Sequence, residues 1–310
     1  MAPPRRASRA ADPDATAADP DATAADALAR YYDLDLETDP GDLDLYLALA
    51  RRDDGPILEL AVGSGRLAVP LALVGHAVTG IDNDPAMLRR AAAAWQARAH
   101  AAAGASSGGS LSLVDADLLT ADLGPRFGLA ILGLNSLFLF ADPAGQQAAV
   151  VALGRHLRPG GRAVVDVWLP RADELASYDG RVVIEWERTD VETGERVAKL
   201  ASARYDAAES LVELTTWFDA WPAAGGPLRR TARRDALRLV SANELARMVE
   251  TAGLTIETLA GDLALGPFGP GAERAVVVAR RPRARKRSRT AATTPTPGRA
   301  GRSRPAARLV

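Results

Sequence analysis

Glu59, Gly63, Gly65, Asp82, Asp115 and Asp117 are the residues whose types and order along the chain could do chemistry. In LELAVGSGR, Gly63 and Gly65 let the backbone approach a ligand closely where a strand turns into a helix, and Glu59 stands just before them. Asp82 ends the next strand, HAVTGID. A carboxylate there can accept both hydroxyls of a ribose through charge-assisted hydrogen bonds. VDADL follows a third strand, and Asp115 or Asp117 could accept the exocyclic amine of an adenine. Each feature alone is commonplace. Their succession at three strand ends suits an adenosine ligand, bound in the crevice where open α/β sheets take their ligands.

The elements that must carry these turns can be read from the pattern. PILELAV, HAVTGID, SLSLV, GLAILGL and RAVVDVWL are five apolar runs with helical segments between them. Asp84-Pro85 and Asp142-Pro143 are N-cap and first-turn pairs, and Ser241 with Glu244 reads as a capping box. Pro70 lies in the helix that follows the glycine turn and is expected to kink it. Continuous apolar strands alternating with helices predict a parallel sheet covered on both faces.

After residue 169 the period changes. Residues 181–188, 197–205, 210–219 and 228–239 read as four strands joined by the turn sequences DVETGER and PAAGGP. Alternation places Val182, Ile184 and Trp186 on one side of the first, and Val212, Leu214 and Phe218 on one side of the third. Trp186, Arg188, Tyr205 and Trp217 fit either a pocket lining or, more simply, a core under this meander; Trp168, just after the fifth strand, is expected at the pocket. LTIETLA and RAVVVAR close the fold. The expected class is therefore α/β: a doubly wound, mostly parallel Rossmann-like sheet with an inserted antiparallel β meander. Its domain spans 27–280, with the insertion at about 169–240. The seven-residue repeat DPDATAA places residues 1–26 in a disordered low-complexity segment, and 281–310 reads as a disordered basic tail.

Composition narrows the chemistry. The 310 residues contain no cysteine and three histidines, so disulfides, thiolate metal sites and cysteine nucleophiles are excluded and no metal site is expected. His76 and His156 read as structural or exposed. From Arg280 onward the chain carries eleven Arg and Lys and no acid, so all 39 acidic residues belong to the part before it. The acidic body repels a phosphate backbone, whereas the basic tail attracts it. Nucleic acid is expected to bind only weakly, through the tail. No apolar run is long enough for a membrane span and no secretory signal is visible, which predicts no membrane partner and a cytoplasmic location.

ILELAVGSGRLAVPLA, VTGIDNDPAMLRRA, VDADLLTADLGPRFGLAILGLNSLF and LRPGGRAVVDVW resemble, in order, the motifs of class I S-adenosylmethionine-dependent methyltransferases. The resemblance runs from about residue 31 to 280, and is close to a bacterial subgroup with an antiparallel insertion after strand five. It implies S-adenosyl-L-methionine as cofactor. Glu59, Ala61, Gly63 and Gly65 would line its methionine end. Asp82 would bind the ribose with Asn83 beside it, and Met87 would pack on the adenine. Asp117, with Leu118, matches the adenine-contacting position. Asn135 and Ser136 match positions facing the methyl group, with Trp168 on the acceptor side, and Tyr32 resembles an N-terminal tyrosine that closes over the cofactor. Two positions depart from the pattern: Ala61 stands where the first glycine is usual, and Gly128 where an acid is usual beside Phe127. No catalytic base is assigned.

The implied activity is methyl transfer to an N or O nucleophile of a small-molecule substrate. Three other readings compete. Gly63, Gly65, Ala68 and Asp82 also fit a NAD-binding oxidoreductase fingerprint, which leaves Asp117 and the meander without a role. A nucleic-acid methyltransferase would use the basic tail. A cofactor-binding protein without turnover would share every motif.

Overall fold

The computed structural model describes residues 20–37, 40–101, 108–124 and 126–283. Two helices, α1 (Pro20–Asp35) and α2 (Leu43–Arg52), precede the first strand. β1 (Ile57–Leu60), α3 (Ala68–Leu73), β2 (Ala77–Asp82), α4 (Pro85–Ala101), β3 (Ser110–Asp115), β4 (Phe127–Leu132), α5 (Pro143–His156) and β5 (Leu157–Trp168) alternate as expected. A short helix α6 (Ala172–Ala176) leads into β6 (Asp179–Thr189), β7 (Glu195–Asp206), β8 (Leu211–Pro222) and β9 (Arg229–Arg238). α7 (Ala242–Thr251), β10 (Thr255–Ala260) and β11 (Arg274–Arg280) return to the first sheet.

The seven-stranded sheet has the order β10-β11-β5-β4-β1-β2-β3. β1 to β5 pair in parallel, and β11 runs antiparallel to both β5 and β10. Strand order reverses between β1 and β4, so the turns after them open a crevice. Every residue of β1 and β4 is buried, which is why both read as unbroken apolar runs. α5 and α7 cover one face through Val150, Leu153, Leu245 and Val249; α2 and α3 cover the other through Tyr46, Leu49, Leu67 and Leu71.

Helix starts follow the expected chemistry. Asp84 Oδ1 accepts from the Ala86 and Met87 amides, and Asp142 Oδ1 from Gly145. Ser241 caps α7 by accepting from the Glu244 amide, but the carboxylate of Glu244 pairs with Arg238 at 2.8 Å. Pro70 costs α3 no intrahelical bond, because the helix begins only at Ala68 and the missing N–H falls in the first turn, where none is due.

Two further expectations are corrected. Helix α1 begins at Pro20, so residues 20–26 are helical rather than disordered. The sequence hides this because the anchoring lies further along the helix. Ala29, Tyr31 and Leu34 are buried, Tyr31 stacks on Phe218 with ring centroids 4.9 Å apart, and Arg30 pairs with Asp190 at 2.6 Å. Residues 1–19 and 284–310 lie outside the described segments. The second correction concerns β6, where Trp186 parts from Val182 and Ile184. A register shift between Ile184 and Trp186 reverses the alternation. Trp186 therefore turns inward onto Phe218 and donates Nε1–H to Asp35 at 2.7 Å, while Val182 and Ile184 face outward.

The four-stranded sheet β6-β7-β8-β9 is antiparallel throughout. Val212, Leu214 and Phe218 share its inner face as expected. Trp186 joins a small core with Tyr31, Leu34, Val197 and Phe218, and Arg188 donates to the Leu34 carbonyl. Trp217 lies on the opposite face of β8 from Phe218 and stays partly exposed. No described helix is long and apolar enough to cross a membrane.

Candidate active site

A cavity of about 890 Å³ lies between the two sheets and α1. On the parallel-sheet side, Ala61, Gly63, Asp82, Asn83 and Met87 form its wall. Asn135, Ser136 and Trp168 meet them from the ends of β4 and β5, and Tyr32 of α1 closes the third side. Nine residues singled out in the sequence are thus brought together.

The glycine turn is tied to β2. Asp82 Oδ2 accepts from the Gly63 amide at 2.8 Å, and Oδ1 accepts from the Asp84 amide at 3.0 Å. A carboxylate has about four lone-pair sites, so Asp82 keeps acceptor capacity toward the cavity. Gly63 and Gly65 both have positive φ. At Gly65 a Cβ would come within 3.1 Å of Ala91 in α4, so this glycine permits the loop to sit against the helix. Ala61 also lies at φ 57°, a left-handed conformation that costs an L-residue about 1–2 kcal/mol. The strain explains why glycine is the usual residue there.

Glu59 and Gly65 lie behind the wall rather than in it. Glu59 is buried, and its Oε2 has no hydrogen-bond partner. Burial, partly offset by Arg66, pushes its carboxyl up from the ordinary 4.5 to about 8. Arg66 itself is held by Asp42 through two hydrogen bonds of 2.5 and 2.8 Å. An acid that binds its proton more tightly when folded makes stability fall as pH rises between the unfolded and folded pKa values. Stability of the unliganded chain should therefore decline from about pH 4.5 to about 8, and Glu59→Gln should remove that part of the slope. Chemical denaturation of both proteins across this range checks it; identical slopes would show that Glu59 titrates normally.

Asp117 and Leu118 stand outside the cavity wall. Asp117 is exposed and its Oδ1 accepts from the Leu119 amide at 2.8 Å, while Leu118 packs against the core. Asp115 is also exposed, directly beside Asp82 in the β2–β3 register. Gly128 has a packing reason: a Cβ there would lie 2.1 Å from the Asp54 carbonyl oxygen. His156 is buried, with Nδ1 2.8 Å from the Ala152 carbonyl, and burial lowers its pKa, so it is structural.

Sequence reasoning missed the network beneath Asn135. Leu134 and Asn135 are consecutive non-glycine residues at φ 48° and 62°. Asp166, fully buried near the end of β5, holds this turn: its Oδ1 accepts from the Leu134 amide at 2.8 Å and from the Tyr46 hydroxyl, and its Oδ2 pairs with Arg274. Asn135 Oδ1 accepts from the Trp168 amide at 2.6 Å and from Arg274 at 3.3 Å. Burial and the neighbouring Asp166 push the Tyr46 hydroxyl well above its ordinary value, so it stays protonated and donates. A lone acid inside the apolar run RAVVDVW was the available signal.

The antiparallel sheet does line the far side of the cavity, but through residues that sequence reasoning did not single out. Asp35 of α1, Tyr178 just before β6, and Arg181, Glu185 and Leu237 of the antiparallel sheet line it. Lys199 bridges Asp35 at 2.5 Å and Glu185 at 2.8 Å. Among the described residues no cluster of His, Asp or Glu is arranged to hold a metal ion.

The strand order, the glycine turn and the acid ending β2 define the fold of class I S-adenosylmethionine-dependent methyltransferases. Residues 57–161 match the family profile of a methyltransferase domain. The CcbJ methyltransferase from Streptomyces caelestis is 24% identical, with a TM-score of 0.61, covering 80% of this chain and 98% of its own. The sugar N-methyltransferase KedS8 from Streptoalloteichus sp ATCC 53650 is 22% identical, with a TM-score of 0.61, covering 91% and 100%. An S-adenosylmethionine-dependent methyltransferase from Clostridium acetobutylicum ATCC 824 is 15% identical, with a TM-score of 0.63, covering 83% and 98%. No curated protein matches the chain.

Proposed function

We propose that this chain transfers the methyl group of S-adenosylmethionine to a nitrogen or oxygen nucleophile of a small molecule, with an amine as the best-fitting acceptor. The observation that carries the reading is one cavity joining the Asp82–Gly63 turn to a chamber under the antiparallel sheet. The buried, unpartnered Glu59 oxygen behind the glycine turn and the spare acceptor sites of Asp82 suit the cofactor's cationic amino-acid end and its ribose. Tyr32, Asn83 and Met87 would flank it, with Asp117 and Leu118 as contacts that need the VDADL turn to approach.

When bound, the cofactor supplies a methyl group activated by a sulfonium. The chain supplies alignment and exclusion of water. Asn135 and Trp168, fixed by the Asp166 network, would hold the acceptor opposite the methyl group. α1 and the antiparallel sheet cover the reacting centre. A neutral amine needs no base, and the carboxylates of the wall are engaged: Asp82 and Asp84 with backbone amides, Asp35 and Glu185 with Lys199. Burial pushes the Tyr32 hydroxyl up to about 12, so it remains protonated. The likeness to a sugar N-methyltransferase agrees with this reading.

Labelled cofactor should methylate an amine in a small-metabolite extract, and should leave RNA and DNA unlabelled. Labelled nucleic acid that disappears when residues 284–310 are removed would instead make the basic tail a substrate handle. A second readout concerns Glu59. If the cofactor's ammonium faces its carboxyl, binding near neutral pH should release protons. Calorimetry in buffers of differing ionisation enthalpy measures this, and Glu59→Gln should abolish the release.

A further inference from the structure

The side-chain amide of Asn135 has its orientation fixed by its partners. Oδ1 accepts from the Trp168 amide at 2.6 Å and from Arg274 at 3.3 Å. A backbone N–H and a guanidinium can only donate, so the atom they share is the carbonyl oxygen. Both lone pairs of that oxygen are thereby engaged. Arg274 is held in turn by the fully buried Asp166. The atom left over is Nδ2, which has no hydrogen-bond partner among the described residues. Asn135 lines the cavity beside Ser136 and Trp168, so it shows the cavity an N–H donor and no acceptor.

We infer that Asn135 donates to an oxygen of the methyl acceptor, carried on the carbon next to the one that bears the methylated nitrogen. The inference rests on the methyl-transfer reading above. In transfer the nitrogen lone pair forms the new N–C bond, the S–C bond breaks onto sulfur, and the surplus proton on nitrogen passes to water. Asn135 cannot take that proton, because its oxygen has no lone pair to spare. Its N–H does not serve the reacting nitrogen either. A hydrogen bond there would occupy the electrons that must attack the methyl group. The donor therefore pairs with a neighbouring atom that accepts. A second amine would be protonated near neutral pH and could only donate, whereas a hydroxyl, ether or carbonyl oxygen accepts. The short reach of an asparagine side chain at the end of β4 puts that oxygen beside the nitrogen. The substrate class is thus an amine with an oxygen on the adjacent carbon.

The test compares two amines of the same shape, tetrahydropyran-3-amine and cyclohexylamine, which differ by a ring oxygen in place of a methylene. Label transfer from S-adenosylmethionine gives kcat/KM for each. Their different basicity cancels when the ratio is compared between proteins. Asn135→Gly removes the donor and adopts φ 62° without strain. Asn135→Asp keeps an oxygen for Trp168 and Arg274 but turns a carboxylate, which only accepts, toward the cavity. Circular dichroism checks that both variants fold. The wild type should favour the oxygenated amine. That preference should shrink about three- to tenfold in Asn135→Gly, and by at least as much in Asn135→Asp. Loosening of the turn would slow both amines alike and leave the ratio unchanged. Equal ratios in all three proteins would overturn the inference. So would a preference lost in Asn135→Gly but kept in Asn135→Asp, which would make Oδ1 anchoring the cause. A wild type that labels a small-metabolite extract but neither amine also overturns it, and leaves the methyl-transfer reading standing. If the wild type labels nothing, that reading falls and the inference falls with it.

Discussion

Replacing Asp82 with alanine should weaken binding of S-adenosylmethionine and of its demethylated product by about 10- to 150-fold, from roughly 1.5–3 kcal/mol of charged hydrogen bonding. The effect has two sources. In the proposed complex the carboxylate accepts from the ribose at the end of β2, and it also holds the Gly63 and Asp84 amides at 2.8 and 3.0 Å. Alanine removes both functions. Asparagine retains one acceptor oxygen and should fall between wild type and alanine. Titration calorimetry of the three proteins checks the order. Equal affinities would remove Asp82 from the site. A loss confined to alanine, with asparagine equal to wild type, would show that loop anchoring matters and charge does not.

Asp166→Ala should cost about 3–5 kcal/mol of stability, the usual cost of deleting one partner of a buried ion pair. Asp166 is fully buried, and its removal leaves the Arg274 guanidinium, the Tyr46 hydroxyl and the Leu134 amide without their common acceptor. It also frees the strained Leu134–Asn135 turn, so turnover should drop further than the unfolded fraction accounts for. Tyr46→Phe keeps the Asp166 bonds to Leu134 and Arg274, and should cost only about 0.5–1.5 kcal/mol for the lost hydrogen bond. Urea unfolding midpoints, read beside kcat and KM on the folded protein, separate the two effects. A stable Asp166→Ala variant with normal turnover would show that the network neither supports the core nor positions Asn135.

The framework of the molecule is written locally. β1 and β4 are buried on both faces, so their sequences are unbroken apolar runs that need no context to read. Asp84-Pro85 and Asp142-Pro143 cap helices through bonds that span two or three residues, so the dipeptides are sufficient signals. The parallel-sheet side of the cavity was legible for the same reason: Gly63, Asp82 and Asn135 occupy strand ends, and strand order alone brings strand ends together.

What the tertiary structure decided depends on partners distant in sequence. A single extra residue near Glu185 turned Trp186 inward and Ile184 outward, which no periodicity shows. Helix α1 is held by Phe218 and Asp190 across the fold, so the sequence at residues 20–26 does not by itself reveal the helix. Tyr46, Asp166 and Arg274 come from α2, β5 and β11, and only their burial together makes a lone strand acid into the support of the Asn135 turn. The same holds for the far side of the cavity, whose wall joins α1 to the antiparallel sheet. A sequence states what each segment can bury and where it must turn. Which charges meet inside is fixed only when the layers close, because pairing a buried charge is a property of the space it occupies.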